Sequence, residues 1–322
     1  AALKAAIAPE EFKKDNTPAT DKQTQIKVVS LEQLLAHEFP PRENILSPWL
    51  PSQGVVMVYA GRGIGKTFFS LSVGLAVASG GPFLKWQAER RRAVLLIDGE
   101  MPGAVLQERV AAFVAAQDLP TGDFRFITPD MQPNHQTIDL GRAEDQETVE
   151  QYLDGVGLII VDNISTVCRS GRENEGESWL QVQEWALQQR AKGRSVLFIH
   201  HAGKGGNQRG TSRREDILDT VIALRRPTQY TPDMGAVFEI HFEKSRGIFG
   251  EDVEPIEATL IAGEDGIMTW SYRSVDVSTY DKVVGLLKEG LSVTEIATEL
   301  EINKSTVSRH AKKAKANGDC NG

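Results

Sequence analysis

The densest chemistry in the sequence lies between Ala60 and Phe68, where Gly61, Gly63 and Gly65 lead into Lys66 and Thr67. The run Ala60-Gly-Arg-Gly-Ile-Gly-Lys-Thr follows the apolar stretch Val55–Tyr59 and opens a helical pattern near Thr67. Strand, glycine-rich loop and helix in that order make a phosphate cradle. Glycines let backbone N–H groups converge on phosphate oxygens, and the helix N-terminus favours their negative charge. Lys66 is placed to reach the β and γ oxygens of a nucleoside triphosphate and Thr67 to ligate Mg²⁺, so ATP and Mg²⁺ are the expected cofactors. The expected contact set is Gly61, Arg62, Gly63, Ile64, Gly65, Lys66, Thr67 and Phe68. One departure stands at the first position of the loop, where Ala60 replaces glycine with the next smallest residue.

Two acids belong with this loop. Leu158-Ile-Ile-Val-Asp162 ends an apolar strand in a carboxylate, an arrangement that sets Asp162 beside Mg²⁺. Ala93–Asp98 is a second such strand, followed by Gly99-Glu100-Met101-Pro102. Ligands of open α/β sheets bind beyond the carboxyl ends of the strands. Glu100 there would polarise the water that attacks the γ-phosphate, with Asp98 as the rival for that role. His200-His201 closes a third strand, Ser195–Ile199, with no cysteine or acid at metal-ligand spacing. That leaves γ-phosphate sensing, a DNA contact or a structural role for the pair.

These groups need a frame, and the sequence supplies a regular one. Val55–Ala60, Ala93–Asp98, Phe124–Thr128, Leu158–Asp162 and Ser195–His200 are short, continuous apolar runs, as strands buried on both faces read. Helical patterns at Thr67–Ser79, Ala104–Gln117 and Glu177–Lys192 separate several of them, which implies an α/β fold with a doubly wound, mostly parallel sheet. Thr220–Arg225, Ala236–Lys244 and Ile256–Trp270 read as later strands extending the sheet antiparallel. Residues 1–27 read as linker, and Ser30-Leu-Glu-Gln as a short capped helix. The chain starts Ala-Ala-Leu rather than with methionine, as an excerpt would, and a primase-like domain preceding residue 1 is one expectation. The ATPase domain is expected over 28–275 and a small all-α domain over 276–322.

Bulk properties narrow the partners. With 40% hydrophobic and 25% charged residues the chain is an ordinary globular one. No apolar run approaches the roughly 18 residues of a membrane span, so no membrane partner is expected. Cys168 and Cys320 are too few for a disulfide framework or zinc site, which fits a reducing cytoplasm. A net charge of −8 argues against coating nucleic acid over the whole surface. Local basic segments remain. The loop after the histidines carries Lys204, Arg209, Arg213 and Arg214, suited to a phosphate backbone, whereas the loop from Ser170 holds glutamates that repel it. Leu291–His310 reads as a helix–turn–helix. Ile296, Ala297, Leu300, Ile302 and Val307 form its inner face, Asn303 caps its second helix, and Lys304, Ser305, Thr306, Ser308, Arg309 and His310 are exposed. Lys304, Ser305, Thr306 and Arg309 are the expected contacts to duplex DNA, and Glu301 stands where glycine is common in such turns.

Taken in order, Gly-Arg-Gly-Ile-Gly-Lys-Thr, Leu-Leu-Ile-Asp-Gly-Glu-Met-Pro, Ile-Ile-Val-Asp-Asn and Phe-Ile-His-His-Ala-Gly-Lys resemble RecA-like P-loop ATPases related to plasmid RepA-type hexameric helicases. The resemblance runs from about Leu31 to Trp270 and includes Leu46-Ser-Pro-Trp-Leu. It implies Mg²⁺ ligation by Asp162, water activation by Glu100 and a relay role for His201. More distant DnaB-type helicases supply a Lys-x-Arg finger from the neighbouring subunit. Lys244-Ser-Arg246 matches that spacing, and Arg209 competes with it. The function implied is an ATP-hydrolysing, DNA-dependent motor. It would be a hexameric replicative helicase of a plasmid, phage or mobile element, with single-stranded DNA in its channel and duplex DNA on the C-terminal helices. A DNA-binding regulator using ATP as a switch is the alternative.

Overall fold

Four of the five apolar runs become strands buried along nearly their whole length, and the fifth, Phe124–Ile127, lies at the sheet edge with no residue fully buried. The computed structural model describes residues 26–39, 41–116, 120–169, 176–203, 216–264 and 266–319, and divides into two units, Ala1–Pro41 and Arg42–Gly322. In the first unit, α1 (Leu31–Ala36) is closed by a reciprocal cap. Ser30 Oγ accepts from the Gln33 N–H, and Gln33 Oε1 accepts from the Ser30 N–H.

The second unit begins with a ribbon of β1 (Asn44–Leu46) and β2 (Leu50–Pro51), followed by β3 (Val55–Ala60) and α2 (Lys66–Ser79). A second ribbon, β4 (Pro82–Phe83) with β5 (Trp86–Gln87), precedes β6 (Ala93–Asp98), α3 (Gly103–Ala115) and β7 (Phe124–Ile127). Next come α4 (Ala143–Glu150), β8 (Val156–Asp162), α5 (Ile164–Val167), α6 (Gly176–Ala191), β9 (Ser195–His201) and β10 (Thr220–Arg225). The sheet is completed by β11 (Val237–Ser245), β12 (Ile256–Ala262) and β13 (Met268–Ser274). Its order is β13-β12-β11-β10-β3-β9-β8-β6-β7, with β10 through β7 parallel.

Alternation along the strands assigns side chains to two layers. Val56, Val58, Leu96, Ile160, Leu197 and Ile222 join Phe69, Val73 and Ala76 of α2 on one face. Met57, Leu95, Ile159, Phe198 and Val221 join Trp179, Val182 and Trp185 of α6 on the other. Trp49, fully buried, meets Trp86 edge-on at 5.3 Å and lies 6.1 Å from Phe69, so the lead-in to the first strand is part of the core. The sheet is therefore doubly wound and mostly parallel, as the sequence indicates. One strand departs from expectation: β10 pairs parallel with β3, Thr220 opposite Val56 and Leu224 opposite Ala60. The antiparallel extension starts only at β11. The chain between β9 and β10 exceeds the dozen residues a parallel crossover needs, whereas each later connection is short enough for antiparallel return.

Three helices follow, α7 (Val275–Lys288), α8 (Val293–Glu299) and α9 (Lys304–Asn317), closed around Val283, Ile296, Ala297, Leu300 and Val307. Glu301 takes φ +51°, the left-handed conformation for which glycine is usual at this turn. Three details differ from what the sequence indicates, at Asn303, Thr306 and His310. Asn303 holds the N-cap position of α9 without a side-chain cap bond. His310 is buried, because Val307, His310, Ala311 and Ala314 recur at helical spacing on the face turned to the bundle, where Tyr280 meets the imidazole edge-on. Lys304, Ser305 and Arg309 are exposed and Thr306 is half-buried. Arg309 pairs with Asp276 at 2.8 Å. Among the described residues no helix is long and apolar enough to cross a membrane.

Glu257 ties these helices to the sheet. Its buried carboxylate accepts from Arg273 Nε of β13 at 2.8 Å and from Ser278 Oγ of α7 at 3.0 Å, with Lys282 Nζ at 3.4 Å. Burial alone would raise its pKa, but Arg273, Lys282 and Ser278 together hold the carboxyl below its usual range. A depressed carboxylate pKa stabilises the fold above the unfolded-state value and loses that effect as pH falls through the folded one. Glu257→Gln is expected to cost about 1–3 kcal/mol at neutral pH, with the gap to the parent protein closing below roughly pH 4.5. Thermal unfolding of both proteins across pH 3–8 measures it.

Candidate nucleotide-hydrolysis site

The loop leaves β3 at its carboxyl end. Ala60 is the last strand residue, paired with His201 of β9 and Leu224 of β10, so this position keeps sheet geometry and does not require glycine. The requirement falls further on: Gly63 has φ +71° and Gly65 φ +124°, and a Cβ on Gly65 would meet the Phe238 ring at 3.0 Å. No side chain caps α2, which leaves its leading N–H groups to an anion. Lys66 is 7% exposed, and its Nζ donates to the carbonyls of Gly61 at 2.9 Å and Ala60 at 3.3 Å. Burial lowers its pKa while Asp162 and Glu100 oppose that shift.

Asp162, at the end of β8, is buried, and burial raises its pKa. Its Oδ2 accepts from Ser70 Oγ at 2.9 Å, and the Thr67 side chain donates to the same carboxylate. A buried carboxylate answered by neutral hydroxyls is an oxygen donor set that fits a hard divalent cation such as Mg²⁺. Asp98 lies opposite Asp162 in the register of β6 and β8. Burial, then the charge of Asp162, pushes its pKa up to about 6, and its Oδ2 accepts from the Met101 N–H at 3.0 Å. Asp98 thus closes the turn that carries Glu100. The Glu100 side chain is 62% exposed and within reach of water, which favours it over Asp98 as the group that polarises a nucleophile. Its Oε2 accepts from Asn163 Nδ2 at 2.6 Å and lies 3.8 Å from His201 Nε2. Burial, and then the charge of Lys66, lowers the His201 pKa and favours the neutral imidazole.

These groups line one cleft of about 430 Å³ whose other end is formed by Phe68, Met101, Pro102, Val105 and Arg109. The Arg109 guanidinium stands 4.4 Å over the Phe68 ring. Of the expected contact set, Arg62, Gly63, Gly65, Lys66, Thr67 and Phe68 line the cleft; Ile64 is buried in the core and Gly61 engages Lys66.

Lys244 and Arg246 do not join this cleft. Lys244 is in register with Val221, and Val221 with Met57, so Lys244 on β11 and Arg246 just past its end lie about 10 Å or more back along the sheet from Ala60. The Arg246 guanidinium donates to the Asp216 carbonyl at 2.9 Å. Lys204, Arg209, Arg213 and Arg214 lie outside the described residues. Three participants escaped the sequence reading: Asn163, hidden behind a strand-ending acid; Arg109, a helix residue with no motif; and Arg226, just past β10. Arg226 NH2 donates to the Gly63 carbonyl at 2.6 Å while its guanidinium stacks on Tyr230 at 3.5 Å. Only sheet order brings that loop beside the P-loop.

A family model described as AAA domain matches residues 20–207, more than half of the chain. No curated protein matches. Among solved structures, a KaiC-like protein from the hyperthermophilic archaeon Pyrococcus horikoshii OT3 aligns with 14% identity, covering 70% of this chain and 94% of that one at a TM-score of 0.49.

Because Arg226 braces the loop carbonyl at Gly63, Arg226→Ala is expected to weaken ATP binding about threefold to tenfold, the worth of one partly exposed charge-assisted bond. Titration with a fluorescent ATP analogue reads this directly.

Proposed function

We propose a function on one premise: the chain belongs to the AAA domain family. It is a P-loop ATPase of RecA-like, doubly wound α/β architecture. The finer reading is a ring-forming, DNA-dependent motor, a RepA-like replicative helicase of a plasmid, phage or mobile element.

In this reading Lys66 and the loop N–H groups hold the β and γ phosphates of ATP, and Phe68 and Arg109 flank the nucleoside end. Thr67 and Asp162 would hold Mg²⁺, which when bound neutralises charge on the phosphate oxygens. Glu100 takes the proton of the attacking water, and neutral His201, 3.8 Å from that carboxylate, senses the γ-phosphate. The observation that carries the ring is the separation just described. Lys244 and Arg246 sit too far along the sheet to serve their own cleft, so as fingers they act on a neighbour's, with Arg209 the rival. Closing such contacts head to tail gives a ring, for which we propose six subunits. Lys204, Arg213 and Arg214 would line its channel and meet single-stranded DNA.

For the C-terminal helices we propose a helix–turn–helix acting on duplex DNA, supported by exposed Lys304, Ser305 and Arg309 on one helix. The Arg309–Asp276 pair at 2.8 Å means that DNA has to displace Asp276 to use this cation. The observation also suits the second reading, an ATP-switched regulator that binds duplex DNA without unwinding it.

Steady-state hydrolysis with and without single-stranded DNA separates the two, with Lys66→Ala as the blank. The motor reading expects stimulation of about tenfold or more, and turnover that ignores single strands favours the regulator. Turnover per subunit should also rise with protein concentration. Arg246→Ala, or Lys244→Ala, is expected to lower kcat by roughly 10³-fold or more while ATP still binds, and unchanged turnover in both would leave Arg209 as the finger. Arg309→Ala should weaken duplex binding and reduce its salt slope by about one.

A further inference from the structure

Asn163 follows the Mg²⁺ carboxylate in sequence and is 2% exposed. It occupies the N-cap position of α5, where its Oδ1 accepts from the Ser165 N–H at 3.0 Å. That bond removes the usual ambiguity of an amide. With the oxygen committed to the helix, the NH₂ group must point the other way, and there it donates to Glu100 Oε2 at 2.6 Å. The two segments are also packed tightly together. The Gly99 N–H donates to the Asp162 carbonyl at 3.0 Å, and a Cβ on Gly99 would meet Thr166 Oγ1 at 2.6 Å. The turn before Glu100 is thus pressed against the first turn of α5.

We propose that Asn163 is a positioning residue for hydrolysis, holding one oxygen of the Glu100 carboxylate so that the other is presented to the attacking water. The inference rests on the reading of Glu100 as the group that polarises that water. Glu100 needs such a hold because its side chain is mostly exposed and otherwise free to choose among rotamers. The residue type follows from the two duties. Asparagine offers an acceptor to the helix and a donor to the carboxylate at once. Aspartate would cap equally well but oppose one carboxylate with another, and serine would cap but is too short to reach Glu100.

The test compares ATP hydrolysis by the parent protein, Asn163→Ser, Glu100→Gln and the double variant, with ATP-analogue binding measured on each. Asn163→Ser keeps the cap, so it should fold and bind nucleotide. It is expected to lower kcat about tenfold or more and leave KM for ATP within about twofold, the worth of one charge-assisted bond. In the Glu100→Gln background the same change should have no further effect, because Asn163 acts through that carboxylate. Asn163→Asp, also capped, should be at least as slow as Asn163→Ser. A kcat for Asn163→Ser within twofold of the parent overturns the proposal while leaving Glu100 in place, as does an undiminished further loss in the double variant. Full hydrolysis by Glu100→Gln removes Glu100 itself from the reaction, and the positioning role falls with it.

Discussion

A carboxylate buried at the end of an apolar strand has to be answered by its neighbours, and much of this molecule is arranged around that requirement at Asp162. Leaving such a group without partners is among the costliest features a core can hold. Ser70 and Thr67 answer it with hydroxyls and Lys66 with charge, and all three stand on the first turns of α2. The same contacts fix the rotation of α2 over the sheet and carry the phosphate loop with it. What holds the first helix in register therefore also assembles the cation site. Glu100 and Asn163 attach to this centre from the neighbouring strand end and from the residue after Asp162.

The sheet acts as a ruler for everything else. Parallel strands bring their carboxyl ends to one edge, and there the end of β9 and the segments following β3, β6 and β8 contribute His201, Lys66, Glu100 and Asn163 to one cleft. The strand β10 also runs parallel, so the residue following it, Arg226, arrives at that edge and braces Gly63. Its partner β11 runs the other way and carries Lys244 and Arg246 off toward the opposite edge. Strand direction thus separates Arg226, beside the phosphate loop, from Lys244 and Arg246, away from it.

The helical end is joined to this frame by charge as well as by packing. Glu257, on β12, faces α7, with Arg273 of β13 and Ser278 and Lys282 of α7 around it. A buried acid ringed by donors from both parts sets where α7 starts on the sheet. The small core around Val283, Ile296 and Val307 holds α8 and α9 on α7. Within that bundle, Asp276 on α7 already engages the exposed Arg309 of α9.

Groups whose chemistry is local are legible in residue order. The spacing of Gly61 to Thr67 is a contiguous signal, and so is an apolar strand that ends in Asp162 or runs on to Glu100. Burial on both faces writes itself into continuous runs of Val, Ile and Leu, which places β3, β6, β8 and β9 within a residue or two, whereas β7, at the sheet edge, holds no fully buried residue although its sequence reads as a buried strand. Whatever depends on which segment lies beside which is set by packing. The parallel course of β10 follows from a crossover that has no sequence signature. His310 reads as a surface residue because one polar side chain in a basic helix carries no sign of the tyrosine that covers it. Arg226, Arg109 and Asn163 acquire their roles from partners distant in the chain, and the Arg309–Asp276 pair spans two helices. Residue type and spacing encode what a side chain can do; only the packed sheet and helices settle which partner it meets.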